Sequence, residues 1–524
     1  MNLATDVERN AARLPDKLAL VFEERRYTFR DYDEQCNRVA NALCALGVER
    51  GDRVAIMLPG CPEYLFTFHG LLKVGAIAVS VNILLKSEET RYILHNSQSR
   101  VVVVAASHLP VLQAVRDQLP ELSHVVVVGG DGGQDTLLYQ ALLRDAAPTF
   151  VAVDVAPDER ATIFYTSGTT GVPKGAVHTH ENLVVQLDAL RDWYKITDRD
   201  VAISLLPVSL LSVLIVSPLT AMHSGCTCVL MDRFNAAQCV RLIKEWRVTL
   251  ALGAVPTMYY EISRLPEEIA REVDLSSVRY AICGGSPLPP ELRREFEGKY
   301  DFRIINSYGG TEAPCTVTTD PLHHERKFDA VGVILPHIKV KIVDDDDNEL
   351  PLGQTGEICI GPHTEGPYAG VYKTLKEYWR MPEATAEALK GGFFHFGDLG
   401  YLDEDGFLYL VDRKKDMIIR GGHNVYPKEL ENVLYEDTRI QECAVLGVPH
   451  ERLGEVPKAY ILLRAGAQAA EQEFIDMIQN RLAKFKALEH VEFVQSFPRN
   501  AMGKILKREL RDLARAQARQ ISQG

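Results

Sequence analysis

The sequence predicts an α/β protein: a large N-terminal domain of parallel or mixed sheets covered by helices, followed by a small α+β domain. Three observations lead there. The chain has 524 residues, too many for one hydrophobic core at roughly 150 residues per domain. In its N-terminal third, short β-branched runs alternate with helical stretches, the pattern of a mostly parallel sheet covered on both faces. Toward the C-terminus the strands and helices become short and closely spaced, which suits a compact α+β unit.

Taken in order, residues 31–46 place Tyr32, Cys36, Val39, Ala40 and Leu43 at helical spacing, and Gly47 ends the helix. Residues 54–58, 101–105 and 125–128 read as strands, 64–74 as a helix and 129–134 as a loop. Residues 161–165 are a further buried strand and 181–194 a helix. His178 and His180 lie in the joint before that helix, where a histidine is more often structural than catalytic. Residues 201–222 are apolar, but Pro207 and Pro218 divide them and leave about ten residues between, against about 20 for a membrane-spanning helix. A buried strand and helix beside a pocket is the expectation. Residues 280–288 read as a strand and a tight turn into a helix. The acidic run Asp344, Asp345, Asp346, Asp347 and Glu349 lacks the spaced ligands and glycine of an EF-hand, so it is expected to be a solvated turn between strands. A strand at 407–411 is followed by the charged stretch 412–416. Residues 428–435, 444–447, 459–463, 474–483 and 491–494 then alternate short strands with helices.

Composition excludes several classes. The net charge is −13, which argues against nucleic-acid binding and requires a local basic site for any polyanionic substrate. Hydrophobic residues at 46% and charged residues at 25% are ordinary for a water-soluble globular chain. The ten cysteines form no C-x-x-C, and Cys226 and Cys228 have no matching Cys/His pair for zinc. They are expected to be reduced and mostly buried. The first residues carry no basic or apolar region of a signal peptide, and the last are not a peroxisomal address. The expected compartment is the cytoplasm.

The densest chemistry is Phe164-Tyr165-Thr166-Ser167-Gly168-Thr169-Thr170-Gly171-Val172-Pro173-Lys174-Gly175. Glycine lets the backbone approach a ligand, and consecutive N–H groups form an anion-binding nest. Thr166, Ser167, Thr169 and Thr170 add hydroxyls, and Lys174 adds a mobile charge, a set suited to a polyphosphate. It is not a Walker A loop: counted from Gly168, the Gly-Lys-[Ser/Thr] positions hold Pro173-Lys174-Gly175. In Asn306-Ser307-Tyr308-Gly309-Gly310-Thr311-Glu312, a tyrosine can stack on a base, a threonine can bind a phosphate, and a carboxylate can hold Mg²⁺.

These stretches resemble the phosphate loop and the Tyr-Gly-x-Thr-Glu motif of the acyl-adenylate-forming superfamily, which includes acyl-CoA synthetases, peptide-synthetase adenylation domains and beetle luciferase. Further motifs follow in the family's order and cover nearly the whole chain. Gly284-Gly285-Ser286-Pro287 is similar to the Gly-Gly-Ala-Pro turn that flanks adenine and acyl group. Gly397-Asp398, after the strand-like Phe393-Phe394-His395-Phe396, matches the ribose-binding aspartate. Asp412-Arg413-Lys414-Lys415-Asp416 matches the domain boundary, with Arg413 on ribose and Lys415 at the hinge. Arg420-Gly421-Gly422-His423 matches the segment bordering the pantetheine channel. Pro498 to Ile505 holds the catalytic-lysine context, with Lys504; on charge alone, a lysine at a helix start is disfavoured by the helix dipole and hints at a ligand.

The resemblance implies domains at residues 1–413 and 414–524, the second mobile, and an AMP-forming acid–thiol ligase closest to medium- or long-chain or aromatic acyl-CoA ligases. It implies an ATP/AMP site of Thr166, Ser167, Gly168, Thr169, Thr170, Lys174, Gly284, Gly285, Ser286, Ser307, Tyr308, Gly309, Thr311, Asp398 and Arg413. Lys504, Thr311 and Glu312 would be catalytic, with Glu312 also on Mg²⁺. ATP, Mg²⁺ and CoA are the implied cofactors, a small carboxylic acid the other partner, and a homodimer is left open. The acyl group is less defined. Many relatives carry an aromatic-His pair where this chain has Ser209 and Leu210, and a larger residue at Gly310. An apolar, roomy pocket with Leu211, Val213 and Leu214 is therefore expected, for a fatty, alicyclic or aromatic monocarboxylate and against a dicarboxylate. Three alternatives stay open: an acyl-AMP ligase loading a free-standing carrier-protein phosphopantetheine, a luciferase-like oxygenase, and a non-catalytic nucleotide binder.

Overall fold

The computed structural model describes residues 2–166, 172–286, 288–421, 423–450, 452–499 and 505–521. The chain packs as two compact units, Met1–Val340 with Ile360–Phe394, and Lys341–Cys359 with His395–Gly524.

Two large sheets make up the first unit. In the eight-stranded sheet, Arg53–Met57, Ile77–Ser80, Val101–Ala105 and His124–Val128 pair in parallel, and Arg160–Thr166 joins parallel to Ile77–Ser80. Lys174–Thr179 and Glu377–Tyr378 then add antiparallel. The parallel strands are Val- and Ala-rich and buried almost throughout, as strands covered on both faces must be. The nine-stranded sheet has a parallel centre with antiparallel hairpins at its edges. The expected mixed α/β architecture is what forms.

The helices follow their local signals. Phe29–Ala45 starts two residues before the expected start at Asp31, because Thr28 and Asp31 form a capping box. It buries Phe29, Tyr32, Cys36, Val39, Ala40 and Leu43, the face that the spacing predicts. Pro62–Val74 is buried all round and ends at Gly75, whose φ is 79°. Its Lys73 ammonium, wholly buried, sits 2.8 Å from both Glu8 and Asp33, so the burial of one charge is offset by two partners. Residues 201–222 form the strand Val201–Ser204 and a buried helical run, Leu211–Leu214, Ile215–Leu219 and Thr220–Ser224. Pro218 has no N–H, the middle segment widens to a π-turn, and the Thr220 hydroxyl donates to the Ile215 carbonyl at 2.7 Å. Among the described residues no helix is long and apolar enough to cross a membrane.

The second unit holds a four-stranded sheet in the order Lys339–Val343, Gly356–Gly361, Phe394–Leu402, Leu408–Arg413, and a five-stranded sheet around Gly454–Leu463. Beyond the register shift between Ile440 and Glu442, the strand Ile440–His450 divides its side chains between two small cores by alternation. Cys443 and Val445 pack with Leu430, Phe474 and Ile478, whereas Ala444 and Leu446 pack with Leu510 and Ala514. The acidic run at 344–347 is a turn, in which Asp344 accepts from Asp346 and Asn348. All ten cysteines are unpaired and nine are buried. The compact units are not cut at 413/414, since the four-stranded sheet belongs with the C-terminal residues.

Candidate active site

The site is built first where the parallel sheet gives way to its antiparallel edge. Arg160–Thr166 runs out at Thr166, and Lys174–Thr179 returns beside it with Thr166 opposite Lys174. The Thr166 hydroxyl donates to Glu312 Oε1 at 3.3 Å. Tyr378, on the neighbouring edge strand, donates to the same oxygen at 3.1 Å, and the Lys174 ammonium lies 5.0 Å from the Tyr378 ring centre. Burial, and then the charge of Glu312, push the Tyr378 phenol well above its ordinary value. The backbone of Glu312 is held in turn, its carbonyl accepting from Leu375 N at 2.7 Å. Three expected residues, Thr166, Lys174 and Glu312, are thus brought together. Ser167, Gly168, Thr169 and Thr170 lie outside the described residues.

The strands Tyr280–Cys283 and Ile304–Gly310 are parallel neighbours, and their carboxyl ends carry the next groups. Ligands of open α/β sheets sit at such ends. Gly284 lies so near Ser307 that an added Cβ would meet the Ser307 carbonyl at 2.9 Å, and Gly285 has φ +76°. Gly285 and Ser286 are exposed, and Tyr308, Gly309, Gly310 and Thr311 are half-buried. Gly309 is opposed so closely by the Cys315 backbone that a side chain does not fit. His178 and His180 are buried, and desolvation lowers them to about 3 and about 4. His178 meets the Asn182 amide and His180 accepts from Leu3 N, the structural role expected of them.

The hydrophobic segment after Leu206-Pro207 approaches this motif through Cys315. Gly310 and Cys315 are cross-strand partners, and the Cys315 thiol points at the Ser212 carbonyl, 3.7 Å away. Leu210 is half-buried, and Leu211, Val213 and Leu214 are buried.

In the second unit Asp398 and Arg413 are cross-strand partners joined at 2.7 Å, Asp398 buried and Arg413 exposed. Two expectations need correction here. Asp398 lies inside the strand Phe394–Leu402, not after it, because Gly397 at φ +68° lets the strand kink and continue. Asp412 and Arg413 likewise belong to a strand, and only Lys414–Asp416 forms a turn. Lys415 is exposed, and Gly421, with φ +55°, turns the hairpin from Ile418–Arg420 to His423–Val425. Gly422 and Lys504 lie outside the described residues. The last helix begins at Lys507. Lys507 itself meets Glu431 at 2.7 Å.

Two family models match the chain, AMP-binding enzyme over residues 7–368 and AMP-binding enzyme C-terminal domain over residues 429–504. The chain belongs to the AMP-binding enzyme family. It is similar to the crotonobetaine/carnitine–CoA ligase of Salmonella heidelberg, 34% identical over 95% of this chain and 96% of that protein. It is similar also to the long-chain-fatty-acid–CoA ligase FadD13 of Mycobacterium tuberculosis, 36% identical over 93% of each. Among solved structures, the anthranilate CoA ligase AuaEII in complex with anthranoyl-AMP superposes with a TM-score of 0.89 at 28% identity, covering 99% of this chain and 98% of that one. The chain is accordingly an enzyme, an AMP-forming acid–thiol ligase.

In this AMP-binding enzyme, three residues that hold or oppose candidate site residues or their chain neighbours were not singled out by sequence reasoning. Tyr378 arrives from 66 positions beyond its partner Glu312, and no local pattern announces it. Cys315 adopts φ +88°, which composition does not reveal. Glu357 lies on the strand next to that of Asp398, a neighbour that only sheet order reveals. A cleft of about 360 Å³ lined by Phe22, Asp232, Phe234 and Asn235 includes none of the groups above.

Proposed function

We propose that this AMP-forming ligase activates a fatty, alicyclic or aromatic monocarboxylic acid as acyl-AMP, releasing pyrophosphate, and then transfers the acyl group to CoA. The observation that carries the reading is the convergence of the Thr166 and Tyr378 hydroxyls on the Glu312 carboxylate, with the Lys174 ammonium over the Tyr378 ring. A carboxylate attacking the α-phosphate of ATP brings two anions together, so the enzyme's task is positional and electrostatic. Lys174 and the hydroxyls of Thr166, Ser167, Thr169 and Thr170 would hold the β- and γ-phosphates. Mg²⁺ takes one or two carboxylates together with substrate phosphate oxygens. Glu312, fixed by two hydroxyl donors beside the phosphate loop, fits that demand and would hold an ion that neutralises phosphate charge. Thr311 would bind the α-phosphate, Tyr308 would stack on adenine between Gly284–Ser286 and Ser307–Gly309, and Asp398 with Arg413 would take the ribose hydroxyls. Lys504 would bridge the acid and the α-phosphate in the first step. Residues 414–524 would then turn about Lys415, withdrawing Lys504 and presenting Gly421 and Gly422 along the path of the thiol. The acyl pocket would be lined by Leu210, Leu211, Val213 and Leu214 and widened at Gly310. An apolar wall of this kind favours an uncharged tail. Ten unpaired cysteines support a reducing compartment, the cytoplasm.

The test is mass spectrometry with ATP, Mg²⁺ and a carboxylate panel, with and without CoA. Acyl-CoA and AMP from one acid support the reading. Acyl-AMP that accumulates whether or not CoA is present would replace CoA by a carrier-protein thiol. Absence of pyrophosphate exchange with every acid would overturn the reading.

A further inference from the structure

Glu357 stands on the strand Gly356–Gly361, next in the sheet to Phe394–Leu402, and only 9% of it is exposed. A carboxylate so buried is expensive unless it is fully engaged. Its Oε1 accepts the backbone N–H of Gly397 at 3.2 Å, and its Oε2 accepts from the Lys414 ammonium at 3.0 Å. His395 Nδ1 lies 3.5 Å from Oε2, and Lys414 also reaches Asp345 at 2.9 Å.

The two residues it holds are not arbitrary. Gly397 immediately precedes Asp398, and Lys414 immediately follows Arg413. Asp398 and Arg413 are themselves opposite each other on adjacent strands and bound at 2.7 Å. One buried carboxylate therefore grips both strands, each one residue outside the same cross-strand pair. Gly397 needs such a hold, because its left-handed φ of +68° leaves an N–H that the regular ladder does not orient.

We propose that Glu357 is a positioning residue for ribose recognition: it sets the spacing and direction of the Asp398–Arg413 pair without touching the nucleotide. The inference rests on the reading that this pair meets the ribose hydroxyls. Removing the grip lets Gly397 and Lys414 relax, and a pair that must meet two vicinal hydroxyls loses its alignment, whereas contacts to phosphate and acid are untouched.

The experiment compares wild type, Glu357→Ala, Glu357→Gln and Asp398→Ala as full chains in pyrophosphate exchange with ATP and with 3′-deoxy-ATP. For Glu357→Ala, KM for ATP should rise about tenfold while KM for 3′-deoxy-ATP and for the carboxylic acid stays within about twofold, so the preference for ATP collapses. Glu357→Gln keeps an oxygen for the Gly397 N–H but loses the charge on Lys414, and should fall between. It also carries the test if Glu357→Ala does not fold. If both Glu357 variants lose ATP and 3′-deoxy-ATP activity in equal proportion, Glu357 is structural only and the inference is overturned. If Asp398→Ala keeps the wild-type preference, the ribose reading itself fails and the inference falls with it.

Discussion

Tyr378 donates its hydroxyl to Glu312 Oε1 at 3.1 Å, beside the Thr166 hydroxyl on the same oxygen. The two donors fix the Glu312 carboxylate beside Thr166, where the strand Arg160–Thr166 ends. Tyr378→Phe removes one donor and keeps the ring under Lys174. A hydrogen bond to a charged group contributes about 1.5–3 kcal/mol to the folded state, so stability should fall by up to about that much and adenylation, with Glu312 loosened, should slow roughly 10-fold or more. Pyrophosphate exchange and a melting curve measure the two. An unaltered rate would show that Glu312 is held without Tyr378.

Glu312→Gln keeps an acceptor for both hydroxyls but removes the charge. The expected outcome is a loss of adenylation of about 100-fold or more that higher Mg²⁺ partly restores. Titrating Mg²⁺ against the exchange rate tests this. A loss insensitive to Mg²⁺ would assign Glu312 a role apart from the metal.

Stability should be limited on both sides of neutrality, by histidines of opposite kind. His223 is buried between two carboxylates, Nδ1 at 2.6 Å from Asp6 and Nε2 at 3.1 Å from Asp188. Burial alone would lower it, but the hydrogen bonds and charges of Asp188 and Asp6 outweigh burial and raise it to about 9. A raised value means that its contribution, roughly 2–3 kcal/mol, is complete below pH 6.5 and lost as pH climbs through 9. His69, His178, His180 and His337 are desolvated to about 4, 3, 4 and 4. Their contribution is present above pH 6.5 and lost as pH falls toward 4. Melting temperatures across this range should fall at both ends, and His223→Gln should flatten the alkaline side alone.

Gly309→Ala should be among the most damaging single-methyl additions, since the new carbon meets the Cys315 backbone, itself held at φ +88°. A loss of about 3 kcal/mol or more is expected. Gly285→Ala, with open space but φ +76°, should cost only about 1 kcal/mol. Chemical denaturation of both variants ranks them. Equal stability would mean that the strand can move away from Cys315.

The sequence made the layers legible because its periods are local. Val101–Ala105 must be a buried strand and Phe29–Ala45 an amphipathic helix whatever surrounds them. The groups of the site were legible where glycines and hydroxyls crowd, as at Thr166 and Tyr308. Contacts made by distant segments were not: Tyr378 on Glu312, Glu357 on Gly397 and Lys414, and the kink at Gly397 that keeps Asp398 within its strand. Each depends on sheet order, which no window of sequence contains.

The family resemblance puts Leu210 where many relatives carry a histidine, beside Ser209 in place of an aromatic residue. Its neighbours Leu211, Val213 and Leu214 are buried, and the Cys315 thiol, opposite Gly310, points at the Ser212 carbonyl of this segment. Leu210→His should therefore shift the range of acids used by about tenfold between the best and poorest chain lengths or ring systems, the worth of one or two methylenes of apolar contact. KM for ATP should stay within about twofold, since the exchange of an apolar for a polar side chain acts on acyl binding alone. Acid-panel kinetics at saturating ATP measure this directly. If the profile is unchanged, Leu210 does not line the acyl pocket; if KM for ATP moves instead, the segment belongs to the nucleotide.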